Sequence, residues 1–254
     1  AYTVAVGRVA LQNLTTGYSN TAVGNAALNA TTTGWYNVAV GIDAGKNVTT
    51  ANNNVLIGTK AGLSTTGANN TFVGTWAGGN NTGSNSVMIG QDAGSGSTST
   101  ASVIIGAFAG RSATSTMMAI GYQAGDVTTG VGNTFAGHFA GRLNTSGATN
   151  TTLGENTLFN NTTGAGNTVM GRNAMLTNVT GSYNLALGAN ALYSATGDYN
   201  LAGGYNALYA TTGNYNLALG YNTGSAITTG SANLIIGSKT GSGIATSSNN
   251  IILS

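Results

Sequence analysis

The stretch YNVAVGIDAG, Tyr36 to Gly45, decides how this chain is read, because close copies of it recur throughout. It consists of a short apolar triplet, Val38-Ala39-Val40, closed by Gly41 and followed by Ala44 and Gly45. Nearly the same phrase stands at Asn54–Gly62 (NVLIGTKAG), Asn70–Gly78 (NTFVGTWAG), Asn133–Gly141 (NTFAGHFAG) and Asn216–Gly224 (NLALGYNTG). Taking the glycine after each triplet as an anchor gives a series from Gly7, Gly24 and Gly41 to Gly237, with Ser254 in the same phase, and every spacing is 15, 16 or 17 residues. The series runs through residues 1–254, so the sequence reads as a single continuous repeat region and a segment of a longer fibre.

Other columns keep the same register. Four residues before the anchor, Asn occupies 12 of 16 places: Asn20, Asn37, Asn54, Asn70, Asn133, Asn150, Asn167, Asn184, Asn200, Asn216, Asn233 and Asn250. Ala stands three after the anchor in 12 of 15 coils, Gly seven before it in 11 of 15, and Thr eight before it in 13 of 15. Agreement of four columns over so many periods identifies a repeat architecture.

The period excludes helical repeats, whose units are roughly twice as long. Each unit also carries helix-weakening glycines, and its triplet is rich in β-branched residues, as in Val55-Leu56-Ile57. These features predict an all-β parallel β-solenoid of about 15–16 coils with 15–17 residues in each. Rungs stacked about 4.8 Å apart would make a rod roughly 75 Å long. Each coil is expected to hold two short strands, with the glycine of TTG and the anchor glycine at its corners. Stacking like on like predicts an Asn amide ladder and a Thr hydroxyl ladder.

The triplet also predicts a partner. Its first and third residues, such as Val38 and Val40, are large and are expected to fill the coil interior. The middle residue then points outward, yet it is apolar in every coil but the one carrying Thr152. A strand apolar on both faces is ordinarily covered on both. Association along that stripe is therefore expected, most simply as a homotrimer, and uncapped ends would also permit end-to-end stacking into a filament.

The phrase Asn-x-Val-Ala-Val-Gly-x-x-Ala at Asn37–Ala44, echoed at Asn20–Ala27 and Asn184–Ala191, resembles the head repeats of trimeric autotransporter adhesins. The longer phrase NLALGANALYSATGDYNLAGGYNAL, Asn184 to Leu208, is similar to repeats in phage tail fibres and large bacterial surface proteins. The resemblance covers the whole chain. It implies a left-handed parallel β-roll, three chains side by side, in a structural or adhesive fibre on a cell surface or virion.

Composition narrows the function classes. With 7 Lys and Arg against 5 acids, the net charge is +2, and no basic cluster could track a phosphate backbone, so nucleic acid is not an expected partner. There is no cysteine, hence no disulfide framework or thiolate metal site. No apolar run reaches the ~20 residues that would span a bilayer. The acids Asp43, Asp92, Asp126, Glu155 and Asp198 lie in separate coils with no common spacing, which argues against paired-carboxylate catalysis and against calcium-loaded repeats. His138 is the only histidine, and the hexapeptide period of acyltransferase solenoids is absent. Glycines recur everywhere without a Lys-Ser/Thr phosphate loop. No cofactor, metal or catalytic residue is expected, and the chain reads as non-enzymatic.

Aromatic columns are the remaining candidates. Tyr183, Tyr199 and Tyr215 share the position five before the anchor and are either stiffening ladder residues or a platform for a cell-surface glycan. Trp76, Phe108 and Phe139 share the position two after it. Ice binding is the rival from another class, but its Thr-x-Thr faces are replaced here by adjacent threonines such as Thr15-Thr16, which point apart on a strand. The expected partners are thus the chain itself and a glycan or protein receptor.

Overall fold

A computed structural model describes residues 2–254. They belong to two compact units, Ala1–Asp126 and Val127–Ser254, each a parallel β-solenoid. In the first, eight strands from β1 (Val4–Val6) to β8 (Met117–Ile120) pair in sequence order. In the second, eight strands from β9 (Asn133–Ala136) to β16 (Ile251–Leu253) do the same. Register follows the sequence columns: Ala39 lies beside Leu56, Leu56 beside Phe72 and Phe72 beside Met88. No helix occurs among the described residues.

Each coil has one strand, not the two expected. The rest of the coil is a succession of turns that keeps the ladder going. Leu28 donates its N–H to the Ala44 carbonyl (2.9 Å), and Asp43 donates to Asn25 (2.8 Å), both outside the strands. Three columns of non-glycine residues sit in the left-handed region, represented by Tyr36 (φ 56°), Asp43 (φ 57°) and Leu28 (φ 48°). A strand cannot pass through such points, so the second strand is broken into bends.

The two glycine columns work differently. The anchor Gly41 has φ +138°, and a Cβ there would lie 2.5 Å from the Gly58 carbonyl oxygen. The TTG glycine is not held at positive φ. At Gly34 an added Cβ would come within 2.6 Å of the Ala51 carbonyl oxygen, so close approach of the next rung favours glycine there, although the column also admits Ala51, Ser99, Thr114 and Ser247.

The triplet faces the opposite way from the sequence expectation. Its middle residue is fully buried: Ala39, Leu56, Phe72, Met88 and Ile104 show no exposed surface. The flanking residues look outward, Val40 being 37% and Ile57 40% exposed. Strand parity is the cause. Asn37 is buried four before the anchor, so the residue two before shares its side, and the large flanking residues take the other.

In most coils core volume is then balanced between the middle residue and the residue four after the anchor. Phe72 goes with Gly78, Phe135 with Gly141 and Leu56 with Gly62, whereas Ala22 goes with Leu28, Ala186 with Leu192 and Ala202 with Leu208. A Cβ at Gly78 would strike the Phe72 ring. Where both positions are small, a third residue fills the space: Val48 beside Ala39 and Gly45, Ile227 beside Ala218 and Gly224. The left-handed Leu costs about 1–2 kcal/mol of backbone energy. Its complete burial returns about 1.5–3 kcal/mol, which is why the arrangement persists.

Candidate functional site

The Asn column forms a buried spine in each unit. The Asn54 backbone N–H donates to Asn37 Oδ1 at 3.0 Å, and Asn37 Nδ2 donates to the Ala51 carbonyl at 2.8 Å. The pattern repeats from Asn150 to Asn167, Asn184, Asn200, Asn216, Asn233 and Asn250, whose N–H groups donate to the preceding Asn at 2.8–3.1 Å. Direct amide–amide contacts accompany it, as at Asn54 Nδ2 to Asn37 Oδ1 (3.3 Å). The spine therefore mainly satisfies backbone groups at a buried corner. Asn20 and Asn70 make the same bonds, to Gly34 and Gly83, and Asn133 reaches Gly130 and Gly147. The chemistry available to these amides is consumed internally.

A second Asn ladder went unread in the sequence. Asn144, Asn161 and Asn178, seven after the anchor, are fully buried, and each Nδ2 also caps its own coil at Gly147, Gly164 or Gly181. The signal was only three residues deep. The threonines also behave differently from a hydroxyl ladder. Thr15, Thr145 and Thr162 donate to the backbone carbonyls of Thr32, Thr162 and Val179 on the next rung, at 2.8–3.1 Å.

Two features remain on the surface. The first is the outward face of the strands. In the first unit it carries Val23, Val40, Ile57 and Ile89, each 36–40% exposed; in the second it carries Leu153, Met170, Leu187 and Leu219, at 39–53%. Eight rungs at about 4.8 Å make a strip roughly 40 Å long and 10 Å wide on each unit. No ionised group lies within the triplets that build it.

The second is aromatic. Tyr183, Tyr199 and Tyr215 stack with centroids 5.1 Å apart and interplanar angles of 10° and 2°. Tyr193 and Tyr209 stack at 4.9 Å, and Tyr205 and Tyr221 at 5.5 Å. Because the rings lie face to face along the stacking direction, they present edges and hydroxyls outward. The near face of Tyr183 rests on Gly166, where a Cβ would lie 2.7 Å from the ring. On the next rung beyond Tyr215 the column holds the small Ala232, and Tyr215 is the most exposed of the three at 63%. Trp76, Phe108 and Phe139 are instead covered by cations: Lys60 lies 4.9 Å from Trp76, Arg111 5.4 Å from Phe108 and Arg142 5.1 Å from Phe139.

The acids stay apart. Asp43 pairs with Lys46 at 3.2 Å, Asp126 with Arg111 at 2.6 Å, and Glu155 stands 4.0 Å from His138. Asp198 accepts the Ser182 backbone N–H at 2.7 Å. Among the described residues no three His, Cys, Asp or Glu gather into a metal-binding group, and no helix is long and apolar enough to cross a membrane. Comparison with protein-family models, curated proteins and solved structures finds no match to this chain.

Proposed function

We propose that this chain is a segment of a rigid extracellular fibre, on a cell surface or virion, that serves as a stalk or adhesive head. In this reading the coil is left-handed and three copies associate through the outward faces of their strands. The observation that carries it is the apolar strip of Val40, Ile57, Leu187 and Leu219. Each strip covers on the order of 400 Å², as large as the biggest apolar patch an ordinary monomer exposes. Its flatness and regular spacing suit a second copy of itself, since identical rungs bring identical side chains into register.

Internal consumption of polar groups supports a structural role. The Asn amides bond to backbone, and the threonine hydroxyls do the same. Such a surface resists local opening because each rung is bonded above and below. Attachment would fall to exposed side chains such as Tyr215, which would meet a glycan or protein receptor.

Sedimentation equilibrium of the wild type and of the double variant Val40→Lys/Ile57→Lys tests the association. A trimer mass that falls to the monomer mass, with the circular dichroism spectrum unchanged, is the expected result. A monomeric wild type at high concentration would overturn it.

A further inference from the structure

We propose that the tyrosine ladders of the second unit are sites of oxidative cross-linking, in which one-electron oxidation welds successive rungs through dityrosine bonds. Seven of the chain's 11 tyrosines lie in them: Tyr183, Tyr199 and Tyr215, then Tyr193 and Tyr209, then Tyr205 and Tyr221. Within each ladder the rings are nearly parallel, at 2–12° and 4.9–5.5 Å between centroids. The rings of the first and third ladders are also open to solvent, 44–63% exposed, so an oxidant reaches them. The chain contains no cysteine to intercept the radical.

The chemistry follows from the spacing. A phenol that gives up one electron and its hydroxyl proton becomes a phenoxyl radical with spin on the ortho carbons. Two such radicals on adjacent rungs join ortho carbon to ortho carbon. Each ortho hydrogen then moves to its ring oxygen, restoring both phenols. The pair has lost two electrons and two protons in total. The co-reactant is hydrogen peroxide acting through a haem peroxidase, and it takes up those two electrons and two protons to give two waters. The ladder holds the second ring at ring-to-ring distance from the first, so coupling is effectively intramolecular. Each ring is tethered to its own rung through Cβ, so a tilt toward its neighbour brings the ortho carbons together without breaking the backbone ladder. The result would be a covalent clamp across three coils, made by the same stacking that places the rings.

The test is treatment of the intact chain with a haem peroxidase and hydrogen peroxide, followed by proteolysis and mass spectrometry of cross-linked peptides. Tyr183–Tyr199, Tyr199–Tyr215, Tyr193–Tyr209 and Tyr205–Tyr221 links are expected, at least about tenfold more abundant than any link to Tyr122, whose ring stands edge-on to Phe108. Their yield should be independent of protein concentration. Tyr199→Phe preserves the stack but should abolish the two links through residue 199 while Tyr193–Tyr209 and Tyr205–Tyr221 links persist. Links distributed evenly over all tyrosines, a yield rising with protein concentration, or no dityrosine at all would each overturn the proposal.

Discussion

Asn37 stands one rung from Asn54 and holds its backbone: the Asn54 N–H donates to Asn37 Oδ1 at 3.0 Å, with both side chains fully out of solvent. Asn54 does the same for Asn70 at 3.0 Å and sends its Nδ2 to the Gly67 carbonyl at 3.1 Å. One side chain therefore satisfies both a donor and an acceptor of the backbone.

Replacing Asn54 by Leu should strand the Asn70 N–H and the Gly67 carbonyl. Unsatisfied buried polar groups cost about 1–3 kcal/mol each, so a loss of roughly 2–5 kcal/mol is expected from denaturant unfolding. Asn54→Ser should cost distinctly less. Serine already fills this column at Ser86 and Ser102, where each hydroxyl accepts the next rung's N–H, from Ser102 at 3.3 Å and Met117 at 3.1 Å. Equal losses for the two variants would show that the amide's role is space-filling alone.

Phe72 and Gly78 should behave as one unit. Phe72→Ala leaves a cavity and should cost about 3–5 kcal/mol. Gly78→Leu alone should be more damaging, because the new side chain meets the Phe72 ring. The double variant Phe72→Ala/Gly78→Leu recreates the Ala22–Leu28 arrangement, in which Leu28 adopts φ 48° within a full core. Its unfolding free energy should be higher than that of either single variant, and a double-mutant cycle reads the coupling directly.

The repeat, its period and the parallel stacking were legible because every coil spells the same columns, and a ladder demands like on like. The direction of the triplet was not read correctly, because size is a poor guide to facing. Val38 and Val40 are larger than Ala39, yet Ala39 is the buried one, since Leu28 from the preceding coil and Val48 from its own fill the remaining space. Parity with Asn37 held the answer. The pairing of Phe72 with Gly78 was also visible, as an exchange of large and small between two columns, but its meaning requires knowing that both columns face inward. The single strand per coil was the least legible feature, because left-handed Tyr36 or Leu28 carries no local turn signal. Of the surface, the tyrosine columns could be read from spacing, whereas the direction of their ring faces depended on the structure.

Thr152 takes the inward middle position, 1% exposed, and its hydroxyl finds no hydrogen-bond partner. Its neighbours on the adjoining rungs are Phe135 and Val169. Thr152→Val keeps the shape and removes the stranded hydroxyl, so it should stabilise the second unit by about 1–2 kcal/mol. A fall in melting temperature would mean that the hydroxyl is bonded in solution.

Arg111 and Asp126 make a two-pronged pair, Nε to Oδ1 at 2.8 Å and Nη2 to Oδ2 at 2.6 Å. The Asp126 side chain is only 6% exposed while that of Arg111 is 39% exposed, so the two deletions should be unequal. Arg111→Met leaves a carboxylate enclosed without its cation. Asp126→Asn leaves a guanidinium that still reaches water and lies 5.4 Å from the Phe108 ring. The arginine deletion should therefore cost more, by about 1–2 kcal/mol after allowing for solvent screening on the exposed side. Its hydrogen bond to Asp126, above all, raises the Arg111 pKa above its ordinary value, so the guanidinium stays charged through the neutral range and its contribution is lost, on the alkaline side, only as pH rises into extreme alkali. A pH series through the neutral range should show the difference between wild type and Arg111→Met holding steady with no step from the guanidinium. An equal or smaller loss for Arg111→Met than for Asp126→Asn would place the pair's stabilisation in the Arg111–Phe108 contact instead.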